Sequence, residues 1–378
     1  MRVITGIPWN LDSEISGFSK RIRGCFSSVA DLGVNVDTYC LGPEEKKGNL
    51  NLIRLHVNRT PLDDEYSPLL NSVAFSQEFS KKIQNADYDV LHCFNTTSLF
   101  LGKKERIFET NNPTYAFALE QIRDQFPTQS KFDRLLNYYR TVSEIDKLEY
   151  ENADIIISPS ELVKESINRY YNVNEEDIQV IPHGVFEEEC NFPQDKSYDN
   201  QLRIILFPGN IHVMKGFRYL LEAMTPVRKE YPNSMLLVCG RIRSYESELF
   251  IDLLREKRKE SGLVLAGFLP RERLYRYYHE ADVCCLPLIF GTMSMAVLES
   301  IAHGLPVIST EHCGLPELNQ VGLKVPPKDS EAISEAILTL LSDSKKIRRK
   351  SENSKTVIKS YLWSKIAEQY TDLYRSFS

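Results

Sequence analysis

The chain has 378 residues, of which 42% are hydrophobic and 26% are charged, a composition typical of globular proteins. Its 46 Lys and Arg and 52 Asp and Glu give a formal net charge of −6, which argues against a nucleic-acid binder held by bulk positive charge. A chain of this length exceeds what one hydrophobic core usually holds, so the sequence predicts two domains.

Cysteine usage and the first residues indicate the compartment. The eight cysteines show neither a Cys-x-x-Cys pair nor a metal-ligand spacing, so we interpret them as reduced structural thiols. The beginning of the chain, MRVITGIPWNLD, has no apolar run long enough for a signal peptide, and no stretch approaches the length of a membrane span. These features predict a cytoplasmic protein without a bound metal.

Short apolar segments alternate with longer helical patterns along the first half of the chain. Strands are predicted at residues 2–7, 34–40, 51–55, 88–93, 105–109, 154–158 and 178–181. Helices are predicted at 16–32, 130–151 and 160–171. Fully apolar strands that alternate with helices are typical of parallel sheets covered on both faces.

The second half repeats this alternation. Its predicted strands are 203–208, 235–240, 262–266, 282–287, 306–309 and 322–325. Its predicted helices are 216–230, 245–259, 270–280 and 330–342. Two doubly wound α/β domains are therefore predicted, 1–183 and 184–359. The boundary is placed at 184–200, GVFEEECNFPQDKSYDN, because this acidic segment shows no strand or helix pattern.

The residues that follow the strands are the first candidates for a site, since open α/β sheets bind ligands beyond the carboxyl ends of their strands. After the first strand, Ser16 and Gly17 precede a helix, and such a small-residue turn exposes N–H groups that suit a phosphate. Taken alone, this stretch favours an ordinary N-cap over a phosphate site.

Three strand ends of the second half carry glycine together with cationic or aromatic side chains. Lys215 stands directly before a helix, where a lysine opposes the helix dipole unless an anion shares the site. The other candidates at these strand ends are Gly209, Asn210, Arg241, Arg243 and Phe268. Each alone is also compatible with a solvated surface, but together they predict an anion-binding crevice.

The segment GTMSMAVLESIAHGLPVIST, residues 291–310, contains a single carboxylate, Glu299. SMAVLESIAHG predicts a helix that ends at Gly304, a residue suited to the left-handed position after a helix. Glu299 adjoins the apolar side of that helix and does not lie opposite it. This position is unusual for an acid that is only solvated, so Glu299 is either a helix-surface residue near a sheet or a ligand-binding group.

Several segments resemble the retaining glycosyltransferases of family four, which have the GT-B fold. The specific matches are FPGNIHVMKG, LLVCG, LAGFLP, LYRYYHEADVCCLP and VLESIAHGLPVIST, and looser ones are ISGFSKRIRGCFSSVADLGVNVDTYC, YDVLHCFN and NADIIISPSELVKESI. The resemblance implies two Rossmann-like domains that face each other across a cleft. It also implies that the amphipathic segment 360–378 returns to the first domain as a C-terminal helix.

The resemblance assigns roles to individual residues. Glu299 accepts hydrogen bonds from the donor ribose, and Lys215 contacts the donor diphosphate and supports the leaving group in place of a metal. Gly17 approaches the phosphate. His92 matches a histidine near the acceptor and is predicted to be catalytic; a buried, hydrogen-bonded histidine is the equal alternative. No cofactor is implied beyond the nucleotide diphosphate-sugar donor.

This chain also departs from the family pattern. Gly291 stands where the first acid of the E-x7-E motif is expected, Asn210 replaces an arginine, and a second histidine would fall at Asn111 or Asn112. Backbone N–H groups of Thr292, Ser294 and Met295 could hold the sugar or phosphate instead. Arg241 or Arg243 could supply the missing diphosphate charge.

The sequence thus predicts a retaining, metal-independent glycosyltransferase whose acceptor is a glycan, a lipid or a small molecule. The alternatives are a non-catalytic nucleotide-sugar-binding partner protein and a GT-B-fold epimerase. A basic rim on the first domain would allow peripheral membrane contact, although an ordinary solvated face explains the same charges. The residues of this rim are Lys20, Arg21, Arg23, Lys103 and Lys104.

Overall fold

The structure is a computed structural model that describes residues 1–11, 17–58, 66–102, 105–110, 115–123, 130–193, 202–242, 247–258 and 260–377. Its contacts divide the chain into two compact units. Unit 1 comprises Met1–Arg123, Ser130–Gly184 and Trp363–Ser378, and unit 2 comprises Val185–Leu362. Within the described ranges, no helix combines the length and the apolar character needed to cross a bilayer.

Unit 1 is built on a twisted sheet covered by helices. Its strands are β1 (Arg2–Ile7), β2 (Asn35–Cys40), β3 (Glu45–Lys47), β4 (Leu50–Arg54), β5 (Val90–Phe94), β6 (Ile107–Glu109), β7 (Ile155–Ser158) and β8 (Ile178–Val180). Its helices are α1 (Gly17–Asp31), α2 (Ser67–Ile83), α3 (Tyr115–Ile122), α4 (Ser130–Glu151), α5 (Glu161–Tyr171) and α13 (Trp363–Phe377). The strand order is β3-β4-β2-β1-β5-β6-β7-β8, and only the pairing of β3 with β4 is antiparallel among the described strands.

Unit 2 repeats the architecture with a parallel sheet. Its strands are β9 (Arg203–Pro208), β10 (Ser234–Cys239), β11 (Leu263–Leu265), β12 (Val283–Leu286), β13 (Val307–Ser309) and β14 (Gly322–Lys324). Its helices are α6 (Phe217–Glu230), α7 (Ser247–Lys257), α8 (Arg271–Glu280), α9 (Met295–Ala302), α10 (Leu318–Val321), α11 (Ser330–Leu341) and α12 (Ser344–Val357). The strand order is β11-β10-β9-β12-β13-β14. The predicted fold class, two doubly wound α/β domains, is confirmed.

The core explains why the strands are so uniformly apolar. Helices cover both faces of each sheet, so both sets of alternating side chains are buried. In unit 1, Ile4, Leu91 and Ile156 from three strands pack with Phe75 and Phe79 of α2. All eight cysteines are free, and all but Cys190 are buried, as expected for structural thiols.

Helix α13 completes unit 1 through Trp363, which is almost fully buried. The indole lies between two glycines: a Cβ on Gly184 would come 2.7 Å from the ring, and one on Gly24 of α1 would also collide with it. Tyr370 and Tyr374 follow on the buried face of α13. The C-terminal helix therefore packs as part of the core of unit 1.

Among the parallel strands, the strand order reverses between β1 and β5 in unit 1 and between β9 and β12 in unit 2. At such a reversal, the connections leave neighbouring strands toward opposite faces and open a crevice at their carboxyl ends. The loops after these four strands are consequently the best places to search for a ligand site.

Candidate functional site

The loops after β9 and β10 are joined by main-chain hydrogen bonds. The N–H of Gly209 donates to the carbonyl of Cys239 at 2.9 Å, and that of Ile211 donates to the carbonyl of Arg241 at 2.8 Å. The side chain of Asn210 accepts the N–H of Arg241 at 2.9 Å. Asn210 therefore fixes the shape of these loops, while contributing no positive charge of its own.

Lys215 lies against the turn that follows β9. It ends a short 3-10 helix, and Gly216 then adopts the left-handed conformation, with φ of 64°, before α6 begins. A Cβ on Gly209 would lie 2.6 Å from the Nζ of Lys215, and one on Gly216 would collide with the carbonyl of Pro287. The ammonium group is thus close to Gly209, on a loop that packs against the residues after β12.

Arg241 and Phe268 follow the neighbouring strands β10 and β11. The guanidinium carbon of Arg241 lies 5.2 Å from the centre of the Phe268 ring, a cation–π geometry. Both side chains are exposed, Phe268 by 48%. A cation and an aromatic face therefore remain accessible beside the Gly209 turn. Arg243 lies outside the described residues.

The turn after β12 is held by main-chain contacts from two directions. The N–H of Ile289 donates to the carbonyl of Met214 at 2.9 Å, and that of Ser294 donates to the carbonyl of Cys313 at 3.0 Å. The Oγ of Ser294 also accepts the N–H of Val297 at 3.4 Å and so caps α9. The N–H of Ser294, one of the groups predicted to hold the sugar, is thus already engaged within the protein.

Gly291 occupies a position that leaves little room for a side chain. A Cβ there would lie 2.7 Å from the carbonyl oxygen of His312, which follows β13. His312 is nearly buried, and its N–H lies 3.2 Å from the Oγ1 of Thr310. The missing acid therefore reflects the backbone arrangement of this turn. Thr292 is half-buried in the same turn, and Met295 is the first residue of α9.

Glu299 is half-buried on α9, and its Oε2 accepts a hydrogen bond of 3.1 Å from the hydroxyl of Tyr278 on α8. Tyr278 is 0% exposed. Burial, followed by the charge of Glu299, raises the pKa of Tyr278 well above its ordinary value, so the phenol stays protonated and donates. Tyr278 is not among the site residues predicted from the sequence, although it lies within the motif LYRYYHEADVCCLP.

Lys215 and Glu299 lie around the same strand. Burial raises the pKa of the Cys284 thiol on β12 to about 12, and a hydrogen bond from Ser300 and the charge of Lys215 oppose the rise. The loop that carries Lys215 contacts the turn after β12, where the N–H of Ile289 donates to the carbonyl of Met214, and the same turn leads into α9, which carries Glu299. Lys215 and Glu299 therefore lie on two segments that contact or follow the turn after β12, where the strand order of unit 2 reverses.

His92 is 0% exposed on β5. Its Nδ1 lies 2.7 Å from the hydroxyl of Tyr374, and its Nε2 lies 3.2 Å from Glu109, which also contacts Arg21. Burial and the charge of Arg21 lower the pKa of His92 to about 3, so the ring is neutral. Of the two interpretations of this residue, the geometry favours the buried, hydrogen-bonded histidine, since no ring atom is available to a substrate.

The predicted basic rim is wrong for two of its members. Lys20 and Arg21 are 4% and 3% exposed because their part of α1 faces the interior of unit 1. Arg23 is partly buried and pairs with Glu45. Lys103 and Lys104 lie outside the described residues, as do Ser16, Asn111 and Asn112. Gly17 is the first residue of α1.

Comparisons with known proteins point to glycosyltransferases. The family model described as "Glycosyltransferase Family 4" matches residues 16–189, and the one described as "Glycosyl transferases group 1" matches residues 202–343. An uncharacterized glycosyltransferase of Methanocaldococcus jannaschii is 25% identical, with 98% of this chain and 97% of that protein covered.

Two solved structures share the fold over the whole chain. Sucrose-phosphate synthase from Thermosynechococcus elongatus has a TM-score of 0.80 at 21% identity, with 100% of this chain and 98% of that chain covered. The Anabaena protein HepE, in complex with UDP-glucose, has a TM-score of 0.70 at 13% identity, with 100% of both chains covered. At these identities the likeness shows the architecture alone.

Proposed function

Because the chain belongs to the family of group 1 and family 4 glycosyltransferases, we propose that it transfers a sugar from a nucleoside diphosphate donor to a hydroxyl acceptor, with retention of configuration and without a metal. The observation that supports this proposal is that the loop of Lys215 packs against the turn after β12 and that the same turn leads into α9, which carries Glu299, at the point where the strand order of unit 2 reverses. A ligand with a diphosphate and a ribose matches a cation and a carboxylate at that position.

The diphosphate is assigned to Lys215 and the Gly209 turn. When the anomeric C–O bond breaks, negative charge develops on the leaving diphosphate, and a cation already fixed nearby stabilises it. The glycine at 209 lets the phosphates approach the main chain closely, with Lys215 Nζ at its side. Arg241, exposed beside this turn, supplies a second cation whose forked donors suit phosphate oxygens.

The ribose is assigned to Glu299. An ionised carboxylate only accepts hydrogen bonds and offers about four lone-pair positions, so it can take both hydroxyls of one ribose. The Anabaena relative was solved with UDP-glucose, which combines a ribose and a diphosphate in one ligand. The proposal names neither the base nor the sugar of the donor. The acceptor is a glycan, a lipid or a small molecule.

The sugar end of the donor is expected to differ from the family pattern. Since a side chain at 291 would meet the His312 carbonyl, no acid reaches the sugar from that position. We assign the remaining contacts to the Thr292 hydroxyl and to the first N–H groups of α9, at Met295. A donor sugar held by N–H and hydroxyl donors, without a carboxylate at 291, fits this turn best.

The test combines binding and turnover. UDP-, GDP- and ADP-sugars are screened by calorimetry, and sugar transfer to glycan, lipid and small-molecule acceptors is followed by NMR, which also reads the anomeric configuration. Lys215→Ala is expected to lower kcat about 100- to 1,000-fold, because the leaving group loses its fixed cation. Lys229→Ala, an exposed lysine near the end of α6, is the matched control.

Transfer that survives Lys215→Ala unchanged would contradict the assignment, and an inverted product would contradict retention. Turnover that EDTA abolishes and a divalent metal restores would contradict metal independence. Binding of none of the nucleotide sugars would count against the proposed donor class.

A second candidate function, non-catalytic nucleotide-sugar binding, is favoured by one observation, the crowded Gly291 position. It predicts donor binding that Glu299→Ala abolishes, with no transfer to any acceptor. Incubation with the donor alone tests the epimerase alternative. An epimerase needs no acceptor, so it would convert the donor under these conditions.

A further inference from the structure

We propose that Tyr278 is a positioning residue for nucleotide recognition, whose buried hydroxyl holds the Glu299 carboxylate in the orientation that accepts both ribose hydroxyls. This inference rests on the proposed function, which assigns the ribose to Glu299. It starts from one contact, the 3.1 Å hydrogen bond from the Tyr278 hydroxyl to the Oε2 of Glu299. Tyr278 is fully buried, whereas Glu299 is only half-buried.

A glutamate at the surface of a helix has a particular need for such a partner. Its side chain has three rotatable bonds, and the freedom of those bonds must be lost when the carboxylate meets two hydroxyls at fixed spacing. A hydrogen bond that restricts the side chain beforehand removes part of this entropic cost from binding. The expected gain is in affinity for ribose, with no gain for the phosphates.

Tyr278 is itself held in place. Its ring stacks on His303, with ring centres 5.1 Å apart and planes inclined by 26°. His303 follows α9 directly, and its Nδ1 lies 2.8 Å from the main-chain carbonyl of Glu299. The tyrosine on α8 and the glutamate on α9 are thus linked through both the hydroxyl and the ring, which fixes the direction of the hydroxyl.

The donor and acceptor roles of the three partners are compatible. Tyr278 donates to one carboxylate oxygen, and the ribose hydroxyls would donate to the remaining lone pairs of the same carboxylate. Tyr278 therefore leaves enough lone pairs on the Glu299 carboxylate to accept both ribose hydroxyls. Because burial keeps the phenol protonated, the hydroxyl stays a donor throughout the neutral pH range.

The experiment compares a ribonucleotide with an analogue that lacks the two hydroxyls. The tightest binder among UDP, GDP and ADP is measured against its 2′,3′-dideoxy form by calorimetry, for the wild type and for Tyr278→Phe. The wild type should prefer the ribonucleotide about tenfold or more, as expected for hydrogen bonds to a charged group. Tyr278→Phe should weaken ribonucleotide binding about three- to tenfold and leave the dideoxy form within about twofold.

Tyr275→Phe is the matched control, because it makes the same chemical change one turn earlier on α8. The Tyr275 hydroxyl contacts Glu189 and Arg271. This variant should therefore retain both affinities. Loss of affinity for both nucleotide forms in Tyr278→Phe would indicate a role in folding alone and overturn the inference.

The remaining outcomes are equally decisive. An unchanged ribose preference in Tyr278→Phe, or tighter ribonucleotide binding, would overturn the positioning role while leaving the proposed function intact. A wild type that binds both forms equally would contradict the role of Glu299, and a wild type that binds none would contradict the proposed function. If Tyr278→Phe does not fold, the ratio of ribonucleotide to dideoxynucleotide affinity is measured for Glu299→Gln instead. A preference for the ribonucleotide that is preserved in Glu299→Gln overturns the inference.

Discussion

Both sheets contain a reversal of strand order, but the charged residues near the two reversals differ in how deeply they are buried. In unit 1, Arg21, Glu109 and His92 are buried against one another beneath α13. In unit 2, Lys215 and Glu299 remain half-buried. The first group is enclosed by protein on all sides, whereas the second keeps part of its surface open to solvent, where a ligand can reach it. Exposure thus separates scaffold from candidate site better than motif position does.

The buried group of unit 1 has a structural role that follows from its contacts. The Tyr370 hydroxyl donates to Glu109 at 2.9 Å, and the Tyr374 hydroxyl pairs with His92, so two residues of α13 hydrogen-bond to residues of β5 and β6. A buried charge is costly unless it is paired and hydrogen-bonded. The pairing therefore makes the position of α13 specific.

The largest expected effect comes from removing the central carboxylate of unit 1. Glu109→Ala leaves the Arg21 guanidinium buried without its counter-charge, which should lower the free energy of unfolding by about 3–5 kcal/mol. Urea denaturation measures the loss. Glu105→Ala, an exposed glutamate close by in the chain, is the control and should change stability by less than about 0.5 kcal/mol. A small loss of stability in Glu109→Ala would contradict the structural role assigned to the buried charges of unit 1.

A smaller effect is expected from adding a side chain to the turn after β12. Gly291→Ala places a methyl group against the His312 carbonyl and should destabilise the protein by about 1–3 kcal/mol, because the turn must shift. Thermal unfolding measures this, with Thr292→Ala in the same turn as control. Gly291→Glu restores the acid of the family motif but should not raise transfer activity. Increased turnover in that variant would show that the turn accommodates a side chain.

A third prediction concerns the pH dependence of stability. The pKa of His92 is about 3 in the folded protein and near 6.5 when unfolded, so the unfolded state binds more protons between these values. Stability should therefore fall as the pH drops below about 6.5, by up to about 1.4 kcal/mol per pH unit from this group. Urea midpoints between pH 7 and pH 4 should decline less steeply for His92→Asn than for the wild type. Parallel profiles would place His92 in a more solvated setting.

Much of the fold could be predicted from local sequence. The strand 203–208 was predicted at its observed bounds, and helix 130–151 likewise, because apolar runs and helical spacing are local properties. The helix at Ser67–Ile83 was not predicted, since its apolar residues follow neither pattern clearly. The prediction of Glu299 on a helix after β12 agrees with α9.

What the sequence could not show depends on contacts between distant segments. Arg21 looked like a surface charge, because its partner Glu109 lies 88 positions away and is itself covered by α13. The crowding at Gly291 comes from the carbonyl of His312, 21 residues later. Tyr278 and Glu299 likewise meet only when α8 and α9 pack together. A residue's burial is set by its tertiary partners, which no local pattern encodes.

The position of the Trp363 side chain between Gly24 and Gly184 has a consequence for how unit 1 is completed during synthesis. Residues Val185–Leu362 of unit 2 form one continuous stretch that is synthesised before Trp363, and domains generally fold as units during synthesis. Most of unit 1 is synthesised earlier, but the space between Gly24 and Gly184 is filled only after Trp363 has been synthesised. The half of the protein that is mostly made first therefore receives one of its largest core side chains only after residues 185–362 have been synthesised.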